Sequence, residues 1–491
     1  MTYTAKIVYD NKTLSLNAND GERLMDVLAR AGAGIHAPCG GRGVCGKCLV
    51  KVDGAFKSTS ESPQGYALAC KSYISDDITI YVTSESAEIL ADVSKTNLIT
   101  DGEKGLGIAI DIGTTTLAAF LMDLASGEVL ASETMLNPQR AHGADVVSRI
   151  AFSIENSKNA FVLQNEIQHA VSSLTKSLLI KSGKKGEAVS SYSFAGNTAM
   201  MHFLTGKSAL GLSAAPFTPE YTLGFSSEFF GANAYFGGCI SGYVGSDTLS
   251  AMLAAEFHTT KKTLLLIDIG TNGEIALVHK GNILCCSCAA GPAFEGAHIA
   301  CGTGAVKGAI DHAKIIDGKL AYSTIRNFPA SGICGSGLID LTACLIEEGI
   351  ISPMGRMSED YHITENVYLA KKDIREIQLA KAAIAAGIDI LISESGISES
   401  DIDEVLIAGG FGNFINLENA CRIGLLPKSL LSKIRPIGNA AGEGARIALV
   451  SKEARANLDM IQSRSRYIEL AAHPDFADLY ADHLPFESLD E

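Results

Sequence analysis

The chain has 491 residues, 47% hydrophobic and 19% charged, which is enough for two to four domains with their own cores and excludes a disordered scaffold. A formal charge of -15 disfavours nucleic acid as a partner, because phosphate binding needs concentrated Lys and Arg; the short basic run Lys181, Lys184, Lys185 reads as a solvated loop. The start MTYTAKIVYD has no basic-then-apolar leader and no later stretch offers about 18 consecutive apolar residues, so the expectation is a cytoplasmic protein that does not use a membrane.

Residues 1–85 read as a small mixed domain. They carry an alternating run from Thr13 to Leu16, an amphipathic helix with Leu24, Val27 and Leu28, and an apolar strand at Ile78 to Val82. Inside this domain CGGRGVCGKC gives Cys39-x5-Cys45-x2-Cys48, and a fourth cysteine follows at Cys70. Four thiolates suit a 2Fe-2S cluster, two to each iron. Gly40, Gly41, Gly43 and Gly46 let the loop wrap tightly and aim backbone N–H groups at sulfur. Zinc is the competing occupant, but zinc ribbons pair two short Cys-x-x-Cys hairpins, whereas three of these ligands share one glycine-rich loop. The spacing resembles that of adrenodoxin-like ferredoxins, which implies a β-grasp fold and one-electron transfer.

Residues 86–104 are polar and acidic, as expected of a linker, and would span at most ~70 Å if extended. From residue 105 to 491, β-rich runs ending in glycine turns alternate with Ala-rich helical patterns, the signature of an α/β architecture. GIAIDIGTTTLAAF, from Gly107, is echoed by LLLIDIGTNGEIAL, from Leu264. An Asp at the end of an apolar strand followed by Gly-Thr suits phosphate and magnesium: glycine permits close backbone approach, hydroxyls donate to phosphate, and the carboxylate holds the metal or its waters. Two such turns, Asp111 to Thr116 and Asp268 to Gly273, would clamp a triphosphate from two lobes. In VLIAGGFGNF, Gly409, Gly410 and Gly412 expose backbone that can lie against an adenosine or its phosphates. GICGSGLID, Gly332 to Asp340, presents amides either to an anion or to a plain helix cap. No Walker A pattern is present.

This order of elements resembles the actin, sugar-kinase and heat-shock-chaperone (ASKHA) ATPases, with connecting helices expected at GNTAMMHFLTG from Gly196 and GNAAGEGARIAL from Gly438. The resemblance assigns Asp111 and Asp268 to magnesium binding or water activation, and Thr114, Thr115, Thr116, Gly270, Thr271, Asn272 and Gly273 to the phosphates. It gives Gly409, Gly410 and Gly412 to the adenosine. Taken with NPQRAHGADVVSRI, AAPFTPEY, AAGPAFEGAHIACG and DIREIQLAKAAI, the whole series resembles the reductive activators of corrinoid enzymes. That family implies ATP-dependent one-electron reduction of Co(II) to Co(I) on the corrinoid protein of a methyltransferase system, an upstream electron donor, and an arrangement that admits a homodimer. The alternatives are a small-molecule kinase of the same superfamily, or a nucleotide-gated chaperone, with the ferredoxin as regulator.

Many family members carry a further domain between ferredoxin and ATPase, where this chain has only the short linker. The remaining candidates have plainer readings. Cys285, Cys286, Cys288 and Cys301 read as packed thiols before a second metal site, and Glu295 and His298 do not by themselves establish acid–base chemistry. The stretch Asp373 to Ile384 reads as a core-facing helix.

Overall fold

Ala5 and Ile7 alternate with exposed neighbours along the first strand, the pattern of a sheet with one covered face. In the computed structural model, which describes residues 2–9, 12–31, 48–60, 62, 65–82, 98–410, 412 and 414–486, that strand is β1 (Thr2–Tyr9). With β2 (Lys12–Asn19), β3 (Leu49–Ser58), β4 (Tyr66–Leu68) and β5 (Ser72–Tyr81) it forms a sheet in the order β2-β1-β5-β3-β4, β1 and β5 being parallel. Helix α1 (Leu24–Arg30) buries Leu24, Met25, Val27 and Leu28 in one cluster with Ile7, Ile74 and Ile80. This is a β-grasp. Cys39, Cys45 and residues 83–97 lie outside the described residues.

The body begins with β6 (Leu106–Ile112), β7 (Thr116–Asp123) and β8 (Val129–Leu136), followed by α2 (Val146–Glu155), α3 (Ser157–Lys181), β9 (Val189–Gly196), α4 (Thr198–Thr205), β10 (Phe225–Phe229), β11 (Ala232–Phe236) and α5 (Ser246–Ala254). Its first sheet runs β10-β11-β9-β6-β7-β8. The second lobe opens with β12 (Leu264–Ile269), β13 (Gly273–His279) and β14 (Asn282–Cys288). A small sheet of β15 (Ala309–Ile316), β16 (Lys319–Thr324) and β17 (Gly332–Ile333) leads into α6 (Gly335–Glu347), a hairpin of β18 (Tyr361–His362) and β19 (Tyr368–Leu369), and α7 (Lys371–Glu394). The chain then continues through β20 (Glu404–Ala408), α8 (Leu417–Arg422), β21 (Ile434–Gly438), α9 (Ala440–Val450), α10 (Lys452–Arg464), β22 (Ser465–Tyr467) and α11 (Phe476–Asp482). The second six-stranded sheet runs β21-β20-β12-β13-β14-β22.

The two sheets repeat one plan. Strand β6 pairs antiparallel with β7 and parallel with β9, which sets Asp111 opposite Ala118 and beside Ala195. Strand β12 pairs antiparallel with β13 and parallel with β20, which sets Asp268 opposite Glu274 and beside Ala408. Both strands are covered on both faces, and this is why they read as unbroken apolar runs.

The lobes meet where α5 crosses α9. Helix α5 contributes Leu249, Met252 and Leu253 to the core under the second sheet, while Ala445, Leu449 and Val450 of α9 pack with Ala109 and Met122 of the first. The crossing is tight: a Cβ on Gly444 would stand 2.1 Å from the Ser250 carbonyl oxygen. The sequence expectation put the first connecting helix at Gly196 to Gly206, and the structure corrects it. Helix α4 buries Met200, Met201, Phe203 and Leu204 inside the first lobe, and the helix that meets α9 is α5. In an unobstructed helix Gly→Ala stabilises by about 1 kcal/mol. At Gly444 the backbone of α5 reverses that sign, and Gly444→Ala should destabilise by roughly 1–3 kcal/mol, read as a fall in C_m with m unchanged. A rise in C_m would contradict the crossing geometry.

Cys285, Cys286 and Cys288 sit in β14, all but fully buried, and burial pushes the Cys285 and Cys288 thiols up to about 12. Residues 98–104 are tied to the body. Asp101 N–H donates to the Val450 carbonyl at 2.9 Å, its carboxylate accepts from Lys452 N–H at 2.9 Å, and Thr100 Oγ1 donates to the Ala125 carbonyl at 2.9 Å. Among the described residues no helix is long and apolar enough to cross a membrane.

Candidate nucleotide cleft and cluster thiols

Between the lobes lies a cleft of about 580 Å³. Asp111, Thr114, Thr115 and Thr116 line it from the first lobe, and Asp268, Gly270, Thr271 and Asn272 from the second. Gly409 and Gly410 close one side. Gly409 holds φ +91, and a Cβ there would stand 2.6 Å from Asp268 Oδ1, so the glycine turn can lie against the aspartate only without a side chain. Gly273 and Gly412 face elsewhere: a Cβ on the first would meet Cys288 Sγ at 2.6 Å, and on the second Ile407 Cγ2 at 2.6 Å.

The first Gly-Thr turn is held rigidly. Asn137 donates through Nδ2 to the Gly113 carbonyl at 2.9 Å and through its backbone N–H to the Thr115 carbonyl at 2.9 Å. Asn197, which caps α4, donates to Thr114 Oγ1 at 2.9 Å. The Arg149 guanidinium, fully buried, donates to the Thr114 carbonyl at 2.6 Å and the Gly143 carbonyl at 2.9 Å. Burial, and after it the charge of Arg140, lower its pKa to about 9. The contacts of Asn137 and Arg149 give NPQRAHGADVVSRI its structural meaning: the motif grips the first Gly-Thr turn from behind.

Four carboxylates gather at the cleft floor. Burial, then the charges of Asp247 and Asp268, push Asp111 up to about 8, against a hydrogen bond from Asn439. Burial and Asp247 push Asp268 up to about 7. Burial raises Asp247 to about 6, partly offset by hydrogen bonds from Thr248, and burial with the charges of Asp247 and Asp268 lifts Glu274 well above the carboxylate range. Buried together, such a group of hard oxygen donors is neutralised either by protons or by a cation. No three of the described His, Cys, Asp or Glu side chains are placed to ligate one ion among themselves. As hard oxygen donors lining an open cleft, one or two of these carboxylates have the chemistry to hold a magnesium ion that keeps several waters and also takes phosphate oxygens.

Asp247 and Glu274 escaped the sequence reading. Asp247 enters on the first turn of α5, whose start is fixed by Gly245, where a Cβ would stand 2.6 Å from Asn197 Cα. The signal for Glu274 was its place opposite Asp268 across the hairpin. Glu295, left without a role above, also lines the cleft. The first turn of α6, Gly335 and Ser336, faces the cleft, while a Cβ on Gly337 would stand 2.1 Å from the Ile310 carbonyl oxygen; GICGSGLID thus serves wall and core together. His298 Nδ1 stands 3.7 Å from Glu376 Oε2 at the exposed surface.

In the β-grasp, Cys48 and Cys70 are nearly fully buried with Sγ atoms 3.2 Å apart and no disulfide. Two thiols converging on one point fit a shared iron.

A protonated acid in the fold is a pH-dependent asset. Asp111, Asp268 and Asp247 hold protons more tightly folded than at the ordinary 3.8, so the folded state binds more protons across that interval. Stability should fall as pH rises from near 4 to about 8. Magnesium with ADP should recover it, more at pH 8 than at pH 5.5, because ligation competes with protons. Thermal melts with and without Mg·ADP test this; an equal or larger gain at pH 5.5 contradicts it.

A β-grasp with paired buried thiols, joined to two repeated lobes around an acidic cleft, defines a ferredoxin fused to an actin-like nucleotide-binding body. The family models agree: residues 7–75 match the 2Fe-2S iron-sulfur cluster binding domain, 106–260 the RACo middle region, and 262–490 the C-terminal domain of RACo, the ASKHA domain. The chain is 30% identical to the corrinoid activation enzyme RamQ of Eubacterium limosum, over 93% of this chain and 94% of that one. It is 27% identical to the [Co(II) methylated amine-specific corrinoid protein] reductase of Methanosarcina barkeri, over 77% of each. The solved reductive activator for corrinoid, iron-sulfur protein superposes with a TM-score of 0.73 at 28% identity, covering 98% of both chains. The chain belongs to the RACo family of corrinoid-protein activators.

Proposed function

We propose that this protein is an ATP-dependent reductive activator that passes one electron to the Co(II) corrinoid of a partner in a methyltransferase system and restores Co(I). The observation that carries the proposal is the union in one chain of converging cluster thiols and a cleft where both Asp-Ile-Gly-Thr turns and four raised carboxylates meet. A kinase of the same architecture needs no electron donor and would use the thiols only for regulation. The names of its relatives, an activation enzyme and a reductase for corrinoid proteins, support the substrate class.

Cys39, Cys45, Cys48 and Cys70 would hold the 2Fe-2S cluster, and Asp111 and Asp268, with Asp247 and Glu274, the hydrated magnesium. When bound, the cluster supplies one-electron transfer and the metal offsets phosphate charge. Thr114, Thr115, Thr116, Thr271 and Asn272 would donate to phosphate oxygens, Gly270 would shape the second turn, and Gly409 and Gly410 would lie against the adenosine, with Gly273 and Gly412 packing behind the two turns. Asp268, which lines the cleft beside the second Gly-Thr turn, would hold the metal's waters or take the proton of the attacking water. Hydrolysis then yields ADP and phosphate, and closure about the crossing of α5 and α9 carries the change to the partner.

The energetics explain the need for ATP. Plant-type 2Fe-2S centres lie near about -400 mV, and each ~59 mV uphill costs tenfold in a one-electron equilibrium. A Co(I) state far below the donor hardly forms unaided. The cluster these thiols would hold would supply one electron for each cobalt reduced, and an upstream donor would have to replace it. The test mixes reduced protein, MgATP and candidate Co(II) corrinoid proteins anaerobically and follows the visible spectrum. ATP-dependent Co(I) is expected; reduction equally complete without ATP refutes the coupling.

A further inference from the structure

Thr115 and Thr271 belong to different lobes, yet both hydroxyls donate to the same atom. Thr115 Oγ1 lies 2.8 Å and Thr271 Oγ1 2.7 Å from Glu295 Oε2. Glu295 ends a short turn, Pro292–Glu295, set between Gly291 at φ +76 and Gly296 at φ +80. A Cβ on Gly296 would stand 2.4 Å from the backbone of Thr303, so the carboxylate is delivered by a backbone with little freedom to move. A hydroxyl has one proton to donate, so neither threonine can serve Glu295 and a phosphate oxygen together.

We infer that Glu295 is a positioning residue that bridges the two phosphate turns and competes with the terminal phosphate of a nucleoside triphosphate for the hydroxyls of Thr115 and Thr271. The inference rests on the cleft being the nucleotide site. Two consequences follow from the chemistry. The bridge sets the separation of the two turns before any phosphate engages them. It also ties entry of the triphosphate to release of an interlobe contact, because a carboxylate and a phosphate of like charge cannot share the donors. A diphosphate, lacking the terminal group, leaves the bridge intact.

The test is calorimetric titration of wild type, Glu295→Ala and the isosteric Glu295→Gln with a magnesium complex of a non-hydrolysable ATP analogue and, separately, with MgADP. Loss of a charge-assisted acceptor should tighten the triphosphate analogue by about tenfold in Glu295→Ala, with Glu295→Gln between it and wild type. The ADP affinity should change less than twofold. A merely structural role would weaken both ligands. Triphosphate affinity unchanged or weakened in both variants overturns the bridge while leaving the nucleotide site standing; a wild type that binds neither ligand overturns both.

Discussion

Cys48→Ser should leave a folded protein that hydrolyses ATP within about twofold of wild type and forms no Co(I). The ferredoxin and the body have separate cores, so a change beside Cys70 does not reach the cleft. At the thiol pair the effect is severe. Cys48 and Cys70 are buried side by side, and an alkoxide is a far poorer iron ligand than a thiolate. Even outer partners of metal sites cost ~10–100-fold, and a direct ligand should exceed that. Loss of the visible absorption of the cluster together with ATP-dependent Co(I) formation is the expected pair of readouts. Wild-type cobalt reduction in the variant would remove the ferredoxin from the electron path.

Asp268→Asn should cut ATP hydrolysis by ~100–1,000-fold while raising stability at pH 8. The amide keeps the shape that fits against Gly409, so the fold is spared. It removes one of four carboxylates that disfavour one another's ionisation, together with the group raised to about 7 by burial and Asp247. Because the folded pKa lies above the ordinary 3.8, the stabilisation grows as pH rises from near 4 to about 7, is full above that, and vanishes only below about 4, where the carboxyl is protonated in the folded and unfolded states alike. Phosphoryl transfer depends on positioned charge, and the same substitution therefore trades activity for stability. Denaturant midpoints at pH 5 and pH 8 beside steady-state hydrolysis separate the two effects. A variant both active and unaltered in stability would show that Asp268 is not in the machinery.

Much of the body was legible because its signals are local. Each Asp-Ile-Gly-Thr turn ends a strand buried on both faces, and the apolar run, the aspartate and the glycine are contiguous. The packed thiols of β14 were legible for the same reason. What local reading lost comes from elements far apart in sequence. Asp247 joins the acids only because Gly245 lets α5 start against Asn197, and Glu295 touches Thr115 across 180 positions. The first connecting helix was misplaced because α4 is as rich in small and apolar residues as α5; which of them meets α9 depends on the bare backbone at Gly444. Helix α7 was expected to turn one face to the core, but it also buries Asp373 and Lys381. Their partners, the Ala300 and Ala370 amides and the His483 carbonyl, lie in other segments or at the helix start.

The hydrogen bonds of Asp101 and Thr100 have a consequence for how often cluster and body can meet. They fix the chain to the body by residue 100, and fifteen residues, 83–97, separate Val82 from Leu98. Fully extended, that tether reaches only ~55 Å. Whatever path those residues take, the ferredoxin stays within that reach of Leu98, a volume in which one molecule is on the order of millimolar. If the partner proposed above docks on the body, its encounter with the ferredoxin would be a first-order event whose rate does not change on dilution. Cutting the chain at the tether would turn it into a collision between separate solutes, and the excess of ferredoxin needed to restore the rate would measure the advantage of the fusion.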